Sequence, residues 1–123
     1  MILVDSSIWV DHLRAGDEEL TALLRAEEVL MHPFVIGEIA LGHLRRREAD
    51  LALLHDLPMA SLATNEEVLS LINNRRLFVT GIGYVDAHLL AAVRVTPRVI
   101  LWTRDRRLAA AASLLGVGVR LPH

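Results

Sequence analysis

With 123 residues, 53% of them apolar, the chain carries enough aliphatic mass for one packed core, so residues 1–123 read as a single domain and a disordered tail is excluded. The absence of cysteine excludes disulfides, thiolate zinc sites and cysteine nucleophiles, and because all 13 basic residues are Arg, Walker-type phosphate binding, Schiff-base chemistry and Ser-Lys hydrolysis are excluded too. A net charge of −2 is not the usual footprint of a nucleic-acid binder; no apolar run reaches the ~18 residues that cross a bilayer, and Met-Ile-Leu-Val-Asp lacks the basic start of a leader, so a cytoplasmic setting without membrane contact is expected.

Ile2-Leu3-Val4 is short and uniformly apolar, as a strand buried on both faces is. Asp5-Ser6-Ser7 follows as the cap of a helix bearing Ile8, Trp9 and Leu13, which Gly16 breaks. Asp17 caps a second helix with Leu20, Leu23 and Leu24 on one face. Val29-Leu30-Met31 reads as the second strand. Pro33 suits the first turn of a helix that carries Val35, Ile36, Ile39, Ala40 and Leu44 and ends in Arg45-Arg46-Arg47. Residues 48–57 predict a further helix, halted near Pro58. Thr64 and Glu67 make a capping box ahead of Val68, Leu71 and Ile72. Thr80 to Gly83 is a loop opening into the Ala-rich helix Tyr84–Val95, and Pro97 punctuates the chain. Val99-Ile100-Leu101-Trp102 is the third strand, followed by Thr103-Arg104-Asp105 and a helix through Leu115. Val117-Gly118-Val119 reads as a short last strand. Apolar strands alternating with helices predict an α/β domain of three layers, α/β/α, around a mostly parallel sheet. Strand order is not legible from this pattern.

In open parallel sheets ligands bind beyond the carboxyl ends of the strands. Asp5 and Asp105 both fall there, although each also opens a helix and so doubles as a cap. Glu38 lies in the apolar stretch Phe34-Val35-Ile36-Gly37-Glu38-Ile39-Ala40-Leu41-Gly42, where burial of a carboxylate is costly unless it is paired or bound to a cation. The bland alternative for Glu38 is the solvent face of an amphipathic helix. Gly37 and Gly42 cost that helix roughly 1 kcal/mol each against Ala, which predicts close approach of another element. Asp86 stands in the first turn of an apolar helix, where the helix dipole also favours an acid. Four carboxylates on one edge repel one another unless a cation neutralises them, and oxygen ligands without cysteine favour magnesium or manganese over zinc. With those four set aside, 13 Arg face 11 acids, so an acidic pocket would sit in a mildly basic surface suited to a polyanion. Arg45, Arg46, Arg47, Arg75, Arg76, Arg104, Arg106 and Arg107 are candidate phosphate contacts. His12, His32, His43, His55 and His88 show no zinc-site spacing and read as surface or partly buried polar residues.

These motifs also carry a family resemblance. Met-Ile-Leu-Val-Asp5-Ser-Ser-Ile-Trp resembles the opening of a PIN-domain ribonuclease, and His-Pro-Phe-Val-Ile-Gly-Glu38 resembles the second acidic motif of that family. Gly-Tyr-Val-Asp86-Ala-His and Leu-Trp-Thr103-Arg-Asp105 resemble the third and fourth. All four occur in order and span nearly the whole chain, whose length is similar to the VapC toxins of toxin–antitoxin pairs. The resemblance implies an endoribonuclease that needs Mg2+, with Mn2+ as a substitute. Asp5 and Asp86 would be the most direct metal ligands, Asp105 would assist, and Glu38 would bind metal or orient the attacking water. Ser6 and Thr103 would hold the carboxylates by hydrogen bonds. The implied partners are a VapB-type antitoxin, a tRNA, rRNA or mRNA substrate, and a second copy in a homodimer. Exposed leucines in residues 44–57 or 68–77 would be the partner contacts.

Three other readings compete. Aspartyl-phosphate enzymes also place an Asp after the first strand, but they want a Lys, and the dehalogenase-like ones want a second Asp where Ser7 stands. A PIN-type nuclease outside a toxin–antitoxin pair fits every residue equally well. A non-catalytic interaction module would keep the fold, with Asp5 and Asp86 as caps alone; metal binding separates it from the nuclease.

Overall fold

Ile2, Leu3 and Val4 are all buried, as a strand covered on both faces must be. They form β1 (Ile2–Val4), the middle strand of a parallel sheet ordered β2-β1-β3. The structure is a computed structural model and describes residues 1–118. β2 is Val29–Leu30 and β3 is Ile100–Trp102, with Leu3 opposite Leu30 on one side and Leu101 on the other. Single parallel bridges, Met31 to Met59 and Leu101 to Gly118, extend the sheet beyond both outer strands. The strand expected at 117–119 is therefore one bridge at Gly118, and Val119 lies outside the described residues.

Seven α-helices occur among the described residues, and the α/β/α architecture is the expected one. α1 (Ser6–Ala15) and α2 (Glu18–Arg25) are capped by Asp5 and Asp17, as read from the sequence. α3 (Pro33–Ala40) begins at Pro33 but stops a turn before the expected Leu44. Gly42 N–H bonds back only three residues, to Ile39 at 3.0 Å, and Arg46 is non-helical, so the arginine run leads into α4 (Arg47–His55) instead of ending α3. α5 (Asn65–Asn74) has the predicted capping box: Glu67 N–H donates to Thr64 Oγ1 at 3.1 Å, and Thr64 N–H donates to Glu67 Oε1 at 2.9 Å. A short 3-10 turn at Leu77–Val79, not expected, precedes α6 (Tyr84–Val95) and α7 (Arg106–Leu114). The core joins Leu3 and Val4 of β1, Ile8 and Trp9 of α1, Leu89 and Leu90 of α6, and Leu101 and Trp102 of β3. No helix of the described residues is long and apolar enough to cross a membrane.

Two helix N-termini meet at one edge of the sheet. α1 starts directly at the end of β1, and α7 starts directly after β3. Since β1 and β3 are neighbours, both helices open side by side at the carboxyl edge.

Candidate active site

Asp5 continues the ladder one step past β1, its N–H donating to the Trp102 carbonyl at 2.9 Å. The same residue caps α1, with Oδ2 accepting from Ser7 N–H at 3.4 Å. Because strand end and helix start coincide, the carboxylate is only 4% exposed and needs internal partners. Oδ2 finds two more, the hydroxyls of Ser7 at 2.9 Å and Thr103 at 2.7 Å. Those hydroxyls also tie down the loop after β3: Ser7 Oγ accepts from Arg104 N–H at 3.0 Å, and Thr103 Oγ1 accepts from Asp105 N–H at 3.0 Å. Asp105 caps α7, its Oδ1 accepting from Arg107 N–H at 2.9 Å and Leu108 N–H at 3.1 Å. Asp86, in the first turn of α6, accepts from Gly83 N–H at 3.2 Å through Oδ2. Three carboxylates thus occupy the first turns or caps of three helices, where the partial positive charge of each terminus offsets part of their repulsion.

Glu38 reaches the same place from α3. The Ser6 hydroxyl donates to Glu38 Oε1 at 3.2 Å and stands 3.5 Å from Asp5 Oδ1, bridging the two acids. The structure corrects the expectation that Glu38 is buried. It lies on an exposed face of α3 with Phe34, Gly37 and Leu41, so the apolar run around it is partly a surface run. Gly37 is likewise not a point of close approach, for a Cβ built there meets nothing. Desolvation still pushes the Glu38 carboxyl up, and the charges of Asp5 and Asp86 push it further while Ser6 opposes them. Asp86 is also raised, first by desolvation and then by Asp5 and Asp105, against the Gly83 hydrogen bond. The four acids therefore lie within one electrostatic field.

Three of the four groups keep an oxygen to spare. Glu38 Oε2, Asp86 Oδ1 and Asp105 Oδ2 accept no hydrogen bond from the described residues. Three free carboxylate oxygens on a partly desolvated, mutually repelling set fit a hard divalent cation. As they stand, no three such groups among the described residues are close enough to share one ion, so ligation calls for side-chain rotation.

Several residues behave otherwise than the sequence suggested. Arg104 is not available to a phosphate: its guanidinium donates to Asp11 Oδ2 at 2.7 Å and Asp17 Oδ2 at 2.5 Å and lies 5.8 Å from the Trp102 ring centre. These acids raise its pKa, while Asp17 is lowered, first by the Leu20 N–H and then by Arg104. His32 and His88 are fully buried, deeper than the surface or partly buried setting expected of them. His32 caps α3 by accepting from Phe34 N–H at 3.0 Å through Nδ1. Ser7 was missed altogether, although Asp-Ser-Ser places a hydroxyl inside the first turn, where it can reach the cap.

Thr103→Val removes a buried hydroxyl without changing the side-chain shape. It deprives Asp5 of its shortest bond and leaves Asp105 N–H unpaired. We expect a loss of about 2 kcal/mol in urea denaturation, typical of hydrogen bonds to a charged group. An unchanged midpoint would show that solvent replaces the hydroxyl.

The PIN-domain family profile matches residues 2–114. Ribonuclease VapC32 from two strains of Mycobacterium tuberculosis is 47% identical over 119 residues, which cover 97% of this chain and 96% of the relative. The resemblance carried by the four acidic motifs thus extends along nearly the whole sequence: the chain belongs to the PIN-domain family and groups with its VapC ribonucleases.

Proposed function

We propose that the chain is a toxin-type endoribonuclease whose four-acid pocket, Asp5, Glu38, Asp86 and Asp105, works with Mg2+ or Mn2+ and is held in check by a VapB-type antitoxin. The observation that carries this reading is the convergence of four carboxylates at the carboxyl edge of the sheet, three of them with an oxygen left over.

Asp5, Asp86 and Asp105 would hold the cation, with Glu38 beside them. A divalent cation supplies charge neutralisation at the scissile phosphate. Ser7 and Thr103 fix Asp5, so that its carboxylate needs no reorganisation when substrate arrives. Glu38 has the raised proton affinity a general base needs, and Ser6 orients it from the side of Asp5. Glu38 takes a proton from the attacking water as the water oxygen bonds to phosphorus. The bond from phosphorus to the leaving ribose oxygen breaks, and that oxygen acquires a proton from solvent.

A groove of about 380 Å³ between α1, α3 and α4 runs past Glu38. Val10, Leu13, Ile39 and Leu44 line it, with Arg14 and Arg45 beside them. Glu38 and Asp50 balance these two arginines, so the groove suits the apolar face of an amphipathic antitoxin segment with charges of both signs at its rim, which would cover the approach to Glu38. Leu53 of α4 and Leu69 of α5, both exposed, are the leucines left for the homodimer or antitoxin contact.

Thermal melting tests the metal site without knowledge of the RNA target. Manganese at about 100 times its dissociation constant stabilises a folded protein by roughly 2.7 kcal/mol. The wild type is expected to melt on the order of 5–10 °C higher in millimolar manganese than in EDTA, and Asp86→Asn to gain much less. No shift up to tens of millimolar would remove the metal-dependent reading and favour the interaction module.

A further inference from the structure

Two aromatic side chains stand exposed beside the acids. Phe34 lies four residues before Glu38 on the same exposed face of α3, and Tyr84 opens α6 two residues before Asp86. They are 41% and 48% exposed, in a chain with only 4% aromatic residues. Both rest on the ring of His88, which is 5% exposed: Phe34 at 4.8 Å and 62°, Tyr84 at 4.7 Å and 85°. The Tyr84 hydroxyl is pinned as well, donating to Asn65 Oδ1 at 3.2 Å. Every ring contact here is edge to face, so neither exposed ring is stacked flat on a neighbour among the described residues.

A cation stands nearby. Arg107 lays its side chain across Gly81, with Cδ 3.2 Å from where a Cβ would be, and Gly81 has φ +79°, so both space and backbone call for glycine. The Arg107 guanidinium joins none of the ion pairs of the described residues. Held rings and a free cation flanking an acidic pocket match the parts of a nucleotide: a flat base and a phosphate.

We propose that Phe34 and Tyr84 form a stacking subsite for an unpaired base of the RNA strand, next to the four-acid pocket, with Arg107 on an adjoining phosphate. This rests on the ribonuclease reading above. Stacking on aromatic rings accepts any base but requires it to be splayed out of a helix, so the subsite selects single-stranded or loop RNA. Neither ring lines the groove assigned to the antitoxin, which is why RNA is favoured over a protein segment as the occupant.

The test measures the anisotropy of a fluorescein-labelled single-stranded RNA decanucleotide and of its duplex, in calcium so that the strand stays whole. Manganese melting shifts are recorded on the same proteins. The wild type is expected to prefer the single strand. Phe34→Ala and Tyr84→Ala should each weaken single-strand binding about tenfold, the scale of one lost base stack, with duplex affinity unchanged. Tyr84→Phe should retain binding because its ring remains, and all variants should keep the wild-type manganese shift. If both alanine variants bind the single strand like a wild type that takes RNA and manganese, the subsite is overturned while the nuclease reading stands, and the rings fall to a protein contact. A wild type that binds neither RNA nor manganese overturns both.

Discussion

Asp5→Asn is expected to lower RNA cleavage about a thousand-fold, since several kcal/mol of transition-state charge stabilisation are lost with the carboxylate. The same variant should also melt below the wild type in EDTA. Relief of repulsion from Glu38 and Asp86 points the other way, because both are raised by the Asp5 charge. However, Asp5 Oδ2 accepts from Ser7 N–H, Ser7 Oγ and Thr103 Oγ1. Hydrogen bonds to a charged acceptor contribute about 1.5–3 kcal/mol against roughly 0.5–1.5 for a neutral one, so the buried Thr103 bond and the partly buried Ser7 bond outweigh a repulsion that is partly screened by solvent. Cleavage is measured on an RNA the wild type cuts, and melting in EDTA without RNA. Activity within tenfold of wild type would remove Asp5 from the chemistry, and a higher melting point would show that repulsion dominates.

Acid lability is the second large effect. His32 is 2% exposed, and its pKa is lowered from 6.5 to about 4, chiefly by burial and then by the charge of His88. Its Nδ1 accepts the Phe34 N–H, so protonating that nitrogen also removes the cap of α3. Between pH 6.5 and 4 the unfolded chain holds a proton on this residue that the folded chain does not. Stability from His32 is therefore complete above pH 6.5, falls as the pH drops to about 4, and is level below that. At 1.36 kcal/mol per unit the loss is about 3 kcal/mol. Glu38 and Asp86 act in the opposite sense, since raised carboxyls bind protons more readily in the folded state. His32→Asn isolates the histidine, because Asn keeps an acceptor at the cap but does not titrate. Urea midpoints across this range should fall more steeply for wild type than for the variant. Parallel curves would show that His32 keeps an ordinary pKa.

Much of this fold follows local rules that a single sequence displays. The Thr64–Glu67 capping box, the Asp17 cap and the start of α6 at Tyr84 depend on residues within one turn of each other. What depends on distant partners was not legible. The order β2-β1-β3 pairs Leu3 with Leu101, residues whose apolar character alone gives no address. Phe34, Gly37 and Leu41 are as apolar as core residues but face outward, which hid the exposure of Glu38. His88 packs against Phe34, 54 residues away in sequence, a contact that exists only in the folded state. Arg104 looked like one more arginine at a helix end, because Asp11 and Asp17 lie about ninety residues away. The acids themselves were legible: Asp5, Asp86 and Asp105 each follow a strand or open a helix, and Glu38 stands out as the one charge in an apolar stretch. The hydroxyls that hold them were only partly so: Ser6 and Thr103 entered through resemblance, and Ser7 not at all.

The central position of β1 has a consequence for how the protein is made. A ribosome delivers β1 and Asp5 long before β3, so the middle strand waits with one edge open while the other elements emerge. Until Trp102 and Thr103 leave the exit tunnel, Asp5 lacks both the carbonyl that fixes its backbone and its shortest side-chain bond. Asp105 follows two residues after Thr103, so the fourth acid arrives together with the scaffold for the first. Nascent chains short of this point hold three acids on an unfinished sheet, and the pocket assembles only once β3 and Asp105 have emerged.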